Sequence, residues 1–156
     1  MGKPSSQKRE ILRERIVAFA EKFVGTPYKY GASASEAPKV FDCSGFVQYV
    51  FKHFGFEIPR STILQAEFAG KIVKSVKSIE PGDLIFFRGI SGHYNKKFPK
   101  GVGHVILYLG KEKVIHSDSK RLRTYPKIVE KGSVKIESLK DIIRKSKPLV
   151  VIKRVI

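Results

Sequence analysis

Cysteine occurs once in the 156-residue sequence, as Cys43 within Phe41-Asp42-Cys43-Ser44-Gly45-Phe46-Val47-Gln48. Asp42 is a helix-capping residue type, and Phe46, Val47, Val50, Phe51 and Phe54 recur at helical spacing up to a stop at Gly55. The cysteine therefore stands at a helix mouth, where free backbone N–H groups and the positive dipole end favour thiolate over thiol. By itself a single cysteine is more often a small buried hydrophobe than a nucleophile. Nucleophilic chemistry also needs a base, and two histidines offer one. His104 opens the apolar run His104-Val105-Ile106-Leu107-Tyr108-Leu109, and His116 closes Val114-Ile115-His116. Gly110-Lys111-Glu112-Lys113 between the runs predicts an antiparallel hairpin. Strand side chains alternate faces, so the two imidazoles can share a face and meet across the ladder. Thiol, base and a third polar group to hold the base are the parts of a nucleophilic catalyst, and no other set in the chain supplies them. A zinc site is the weaker alternative, because one Cys and two His on separate elements lack the close paired spacing of structural zinc ligands. Hydrolysis by a thiol requires no cofactor.

Other elements must carry these residues. Leu12, Ile16, Phe19 and Phe23 form one stripe along a helix predicted over residues 6–24, ended by Gly25-Thr26-Pro27. An Ala-, Ser- and Gly-rich connection follows Tyr30-Gly31. Ser61 caps a short helix over 62–69 that stops at Gly70. Residues 71–76 read as a short strand or connection, and Glu80-Pro81-Gly82-Asp83 as a turn before the strand Leu84-Ile85-Phe86-Phe87. Residues 89–101 form an irregular loop around His93, Tyr94 and Phe98, long enough to cover a cleft. A basic segment follows Ser117. Beyond it come a strand near 133–136, a helix over 138–145 and a final apolar strand over 149–155. Helices first and a mainly antiparallel sheet afterwards is the α+β pattern, with the sheet packed on the Cys43 helix. The expected organisation is one domain over 1–156: an N-terminal helix (6–24), a Cys-helix region (41–70) and a sheet region (71–156).

Composition narrows the function classes. At 42% hydrophobic content the chain can bury a core of ordinary domain size. A single cysteine excludes an intramolecular disulfide. No apolar stretch reaches the roughly 20 residues of a membrane span, and the first 30 residues show no secretory leader. The 31 Lys and Arg against 14 Asp and Glu give a net charge of +17, which predicts an anionic partner surface. Wall polymer, lipid headgroups and nucleic acid all satisfy that charge. Nucleic acid is not expected, because the basic residues are spread along the chain and no recognition motif accompanies them. Oligomeric state is not legible.

The motifs resemble the NlpC-type family of papain-like bacterial cell-wall cysteine peptidases. The similarity runs through Gly25-Thr26-Pro27-Tyr28-Lys29-Tyr30-Gly31, Asp42-Cys43-Ser44-Gly45-Phe46-Val47 and Pro59-Arg60-Ser61-Thr62. It continues through Pro81-Gly82-Asp83-Leu84, Gly103-His104-Val105 and Ile115-His116, in order and spacing. The resemblance implies a papain-like fold with Cys43 as nucleophile, His104 as general base and His116 as the residue orienting it. It puts the hydroxyl of Tyr28 beside the oxyanion hole, and Asp42 and Ser44 at positions that contact the stem peptide, although helix capping alone would also explain those two. The implied substrate is peptidoglycan or its muropeptide fragments, cut between γ-D-glutamate and the diamino acid. Two departures bear on the groove: Ile106 replaces a small residue two positions after the base histidine, and residues 89–101 are an insertion. They leave open an amidase or acyltransferase of the same fold acting on a lipid or another amide. A non-catalytic basic module binding an anionic polymer is the remaining alternative. The chain shows no separate targeting domain, so its own basic surface is expected to supply attachment. The family usually works in the cell envelope or outside the cell, which requires a leader removed before residue 1; without one, cytoplasmic turnover of wall fragments is expected.

Overall fold

The computed structural model describes residues 5–89, 92–146 and 148–156. Its main elements are α1 (Ser6–Glu21), α2 (Cys43–His53), α3 (Thr62–Phe68), β1 (Lys71–Val73), β2 (Leu84–Phe87), β3 (His104–Gly110), β4 (Lys113–Arg123), β5 (Val129–Ser138), α4 (Leu139–Lys145) and β6 (Leu149–Arg154). The strands form one antiparallel sheet in the order β1-β6-β2-β3-β4-β5. The first three helices contribute to the core on one face, and α4 to the core on the other. This is the expected α+β arrangement.

The apolar face of α2 explains its position. Phe46, Val47, Val50 and Phe51 are fully buried, in one cluster with Val105 and Leu107 of β3 and Ile115 of β4. Burying four such side chains contributes roughly 1.5–3 kcal/mol each. Asp42 caps the helix by accepting from the Gly45 N–H at 2.7 Å, so the helix begins at Cys43.

The first helix ends at Glu21, three residues before the sequence-based boundary, because the chain turns there towards the sheet. Gly25 takes a positive φ of 92°, and its N–H donates to Val134 O at 2.8 Å. Phe23 still packs on the core from this turn, edge-on to Phe41 and Tyr49. Residues 25–28 then follow the outer edge of β5: Val134 N–H donates to Thr26 O, and Tyr28 N–H to Gly132 O, both at 2.9 Å. On its other side Tyr28 bridges Phe41, two residues before the cysteine. A sheet edge that would otherwise be open is thereby covered, and Tyr28 is brought beside the start of α2.

The two strands after the hairpin turn are longer than their composition suggests. Pairing of β4 with β5 continues through Asp118↔Ser133, Lys120↔Lys131 and Arg121↔Glu130, where the sequence reads only as a basic segment. Both faces are polar there, so no apolar alternation marks the strands. Cross-strand ion pairs hold them instead, Arg121 to Glu130 at 3.1 Å and Lys135 to Asp118 at 3.3 Å. Gly132 is required at the crossing, since a Cβ would lie 1.9 Å from the Asp118 carbonyl oxygen.

The Pro81-Gly82-Asp83 turn is anchored by a buried carboxylate. Asp83 is 1% exposed and accepts from Arg154 Nε at 2.9 Å and Nη2 at 2.8 Å, and from the Glu80 N–H at 2.9 Å. Removing Asp83 would leave Arg154 only a longer contact with Glu80 at 3.7 Å for its charge. Asp83→Ala is expected to lower unfolding free energy by about 3 kcal/mol, measured by chemical denaturation, and a loss below about 1 kcal/mol would show the pair to be incidental.

Candidate active site

The first turn of α2 meets the start of β3 and the middle of β4. Cys43 is 7% exposed. Its Sγ lies 3.5 Å from Thr62 Oγ1 and 3.9 Å from Gly103 O, the residue that precedes His104. His104 Nε2 is 2.7 Å from His116 Nδ1. With Leu107 opposite Ile115 in the ladder, His104 and His116 are diagonal neighbours on one face, as the sequence predicts. His116 is 1% exposed, and its Nε2 donates to Glu137 Oε2 at 2.6 Å.

The charges of these groups depend on one another. Burial pushes the Cys43 thiol up, but the nearby His104 imidazole and its charge, with the Thr62 hydroxyl, outweigh it and leave the thiol below its ordinary pKa. Burial pushes His104 down, yet Cys43 raises it above the usual imidazole value. The pair therefore favours thiolate and imidazolium. His116 moves the other way, lowered by burial and then by the charge of His104, so it stays neutral and can accept from its neighbour.

Tyr28 stands beside this centre. Burial raises its pKa most, and the negative charges of Cys43, Glu130 and Asp42 add to that, against a smaller lowering by the Ser119 side chain. The hydroxyl consequently remains a protonated donor. The segment before α2 is fixed by Ser117 Oγ, which donates to Phe41 O at 3.0 Å.

Asp42 and Ser44 sit in a network with a residue to which sequence reasoning assigned no role. Arg60 donates to Asp42 Oδ2 at 2.9 Å, to Ser44 Oγ at 2.8 Å and to the Ala32 carbonyl. Asp42 Oδ1 also accepts from Ser44 Oγ at 3.4 Å. Helix capping is thus an observed role for Asp42, and Arg60 compensates its charge. Thr62 and Glu137 likewise carry no local signal of function; each becomes visible only through its contact with Cys43 or His116.

Ile106 does not line a groove beside His104. It is fully buried in the core of the α4 face, with Phe87, Tyr108, Val114 and Leu139. Residues 90 and 91 of the insertion lie outside the described residues. Its remainder is tied down: His93 bridges Val102, and Asn95 Nδ2 donates to Glu67 on α3 at 3.0 Å. Of the described residues, His104, His116 and Asp118 come closest to a metal-ligand set, with donor atoms within 4.8 Å of one another. The facing histidine nitrogens already bond each other, however, and Asp118 pairs with Lys135.

Because the thiolate is the reactive form, a lowered Cys43 pKa extends alkylation to lower pH. Iodoacetamide labelling of Cys43 is expected to persist well below the ordinary thiol pKa of about 8.5. In His104→Ala the labelling profile should move back towards that value; identical profiles would exclude the ion pair.

The fold has counterparts in known proteins. A family profile described as the NlpC/P60 family matches residues 25–140. The chain is 38% identical over 115 residues to the gamma-D-glutamyl-L-lysine dipeptidyl-peptidase of Bacillus subtilis, covering 73% of this chain and 34% of that protein. It is 34% identical over 102 residues to the probable endopeptidase p60 of Listeria seeligeri, covering 65% of this chain and 17% of that one. It thus spans about a third or less of the length of these curated relatives. NlpC1 from Trichomonas vaginalis superposes with a TM-score of 0.68 at 25% identity, over 92% of this chain and 44% of that chain. With three quarters of the sequence inside one family profile and a fold that superposes on an NlpC structure, the chain belongs to the NlpC/P60 family.

Proposed function

We propose that this protein is a cysteine peptidase that hydrolyses the amide bond between γ-D-glutamate and the diamino acid in peptidoglycan stem peptides. The observation that carries the proposal is Cys43 at the mouth of a buried helix, 3.9 Å from the carbonyl of Gly103, with the adjoining His104 hydrogen-bonded to His116 at 2.7 Å. In the reaction, the Cys43 thiolate attacks the amide carbonyl and a carbon–sulfur bond forms. The developing oxyanion is met by the Cys43 backbone N–H and the Tyr28 hydroxyl. Since Nε2 of His104 faces His116, the proton on Nδ1 passes to the leaving amine as the carbon–nitrogen bond breaks. Water, giving a proton back to His104, then hydrolyses the thioester and frees Cys43.

The substrate assignment rests on the family and on the names of relatives. The Bacillus subtilis relative above is named for a γ-D-glutamyl-L-lysine bond, and another relative from the same organism, 34% identical over 103 residues, is named a gamma-DL-glutamyl hydrolase. Asp42 and Ser44 remain candidates for the stem-peptide contact. An ionised carboxylate has about four lone-pair sites, and Gly45, Ser44 and Arg60 occupy three of them on Asp42, which leaves one for an α-amine. Burial of Ile106 removes one reason to expect a lipid substrate. Exposed Lys120, Arg121, Arg123 and Lys127 at the β4–β5 tip supply charge for an anionic wall polymer, in keeping with work on the cell envelope.

Incubation with muropeptides, read by mass spectrometry, should yield products split after γ-D-glutamate, and Cys43→Ala should abolish them. Absence of cleavage, or cleavage undiminished in Cys43→Ala, would overturn the assignment. Tyr28→Phe is expected to lower kcat by about 100-fold with little change in KM, the loss associated with one oxyanion donor; an effect confined to KM would instead make Tyr28 a substrate-binding residue.

A further inference from the structure

The hydrogen-bonded series does not end at the second histidine. Glu137, on β5 two residues beyond the position opposite His116, reaches diagonally across the strands to accept from His116 Nε2 at 2.6 Å. Its other oxygen accepts from Lys145 Nζ of α4 at 3.1 Å. Lys135 lies 3.9 Å from Oε2. We propose that Glu137 is a positioning residue for the peptidase reaction, fixing the tautomer of His116 so that His104 is oriented with a nitrogen free to take the Cys43 proton.

The argument rests on the proposed roles of Cys43 and His104 and follows from proton placement. Two neutral imidazoles joined Nε2 to Nδ1 can share their proton in either sense. If His116 carries its proton on Nδ1, it donates to His104 Nε2, and a neutral His104 must then carry its own proton on Nδ1, facing Cys43. That form cannot accept the thiol proton. An ionised carboxylate at His116 Nε2 can only accept, so it requires the proton there and leaves Nδ1 as a lone pair. His104 Nε2–H then donates to that lone pair, and its Nδ1 is free for Cys43. This is the orienting logic by which a carboxylate sets the tautomer of a catalytic histidine.

The surrounding charges support an ionised Glu137. Burial pushes its carboxyl up, but the bonds from His116 and Lys145 outweigh that and hold it below the usual carboxylate range. The other charged or titratable groups facing the histidines are Cys43 on α2, Asp118 on β4 and Lys135 on β5. Asp118 is paired with Lys135 at 3.3 Å and makes no hydrogen bond to either imidazole. It adds negative charge without selecting a tautomer.

A purely structural role is the competing account, since Glu137 precedes Ser138, the cap of α4, and its partner Lys145 lies in the last turn of that helix. Nitrogen-15 NMR of the full-length wild-type protein, with His116 assigned from His116→Gln, reads the tautomer directly and requires no substrate. The expected result is a neutral His116 protonated on Nε2; protonation on Nδ1 would overturn the proposal. In Glu137→Gln, whose amide can also donate, the Nδ1–H form should become populated. The Cys43 alkylation profile should shift to higher pH, and kcat on muropeptides should fall tenfold or more at similar KM. An Nε2–H tautomer, an alkylation profile and a kcat all equal to wild type would reduce Glu137 to a structural joint. If muropeptides prove not to be substrates, the tautomer and alkylation readouts still decide the role of Glu137, while the Cys43→Ala digestion separately decides the peptidase assignment.

Discussion

The structure depends on the burial of α2 against β3 and β4. That contact aims the N-terminus of the helix at the two strands that bear the histidines. Phe46, Val47, Val50 and Phe51 have no exposed surface, so the helix cannot rotate or slide without exposing part of this face. Cys43, one turn before Phe46 and Val47, inherits that precision. The Asp42 cap sets where the helix begins, and the Ser117 hydroxyl on Phe41 O ties the preceding residue to β4. A nucleophile placed by apolar burial at one end and by hydrogen bonds at the other needs little reorganisation before reaction.

Electrostatics then act on a geometry already set. Alone, a buried thiol or imidazole is driven towards its neutral form. Together, Cys43 and His104 reverse both tendencies, because unit charges about 4 Å apart attract by roughly 4 kcal/mol at an effective dielectric near 20, whereas one pKa unit is about 1.4 kcal/mol. His116 is kept neutral by its burial and then by repulsion from the charge on His104. The series therefore runs thiolate, imidazolium, neutral imidazole, carboxylate, with a neutral member separating the two charged ends. Lys145 and Lys135 complete it on the solvent side, and the long β4–β5 pairing keeps them within reach.

The sheet edge has a second use. Covering part of β5 with residues 25–28 pairs the N–H and C=O of Val134 and the C=O of Gly132 and at the same time carries Tyr28 to the site. Burial of Tyr28 and the nearby negative charges preserve its hydroxyl proton, the state an oxyanion donor requires. Arg60 performs a related service at the opposite side of the helix mouth, neutralising Asp42 while leaving its cap intact. The basic surface of the protein is thus not uniform: at the site, carboxylates at positions 42, 118, 130 and 137 offset the local cations.

Much of this was legible in local sequence. Periodicity and caps located α2, α3 and the β3–β4 hairpin, because these elements are stabilised by neighbours a few residues apart. The cysteine and both histidines were identifiable from residue type and spacing, and the family from ordered motifs. Three features were not legible. The extension of β4 and β5 escaped notice because polar strands held by cross-strand ion pairs carry no apolar alternation. Ile106 shares a face of the sheet with both histidines, but only the packing of α4 on that face shows that its side chain is enclosed in the core. Arg60, Thr62 and Glu137 reach the site from 17, 19 and 94 residues away from Cys43 in sequence. The sequence by itself determined the reactive groups and the elements that carry them. Tertiary structure alone decided which polar groups fix their protons, because hydrogen bonds between distant segments leave no periodic trace in the chain.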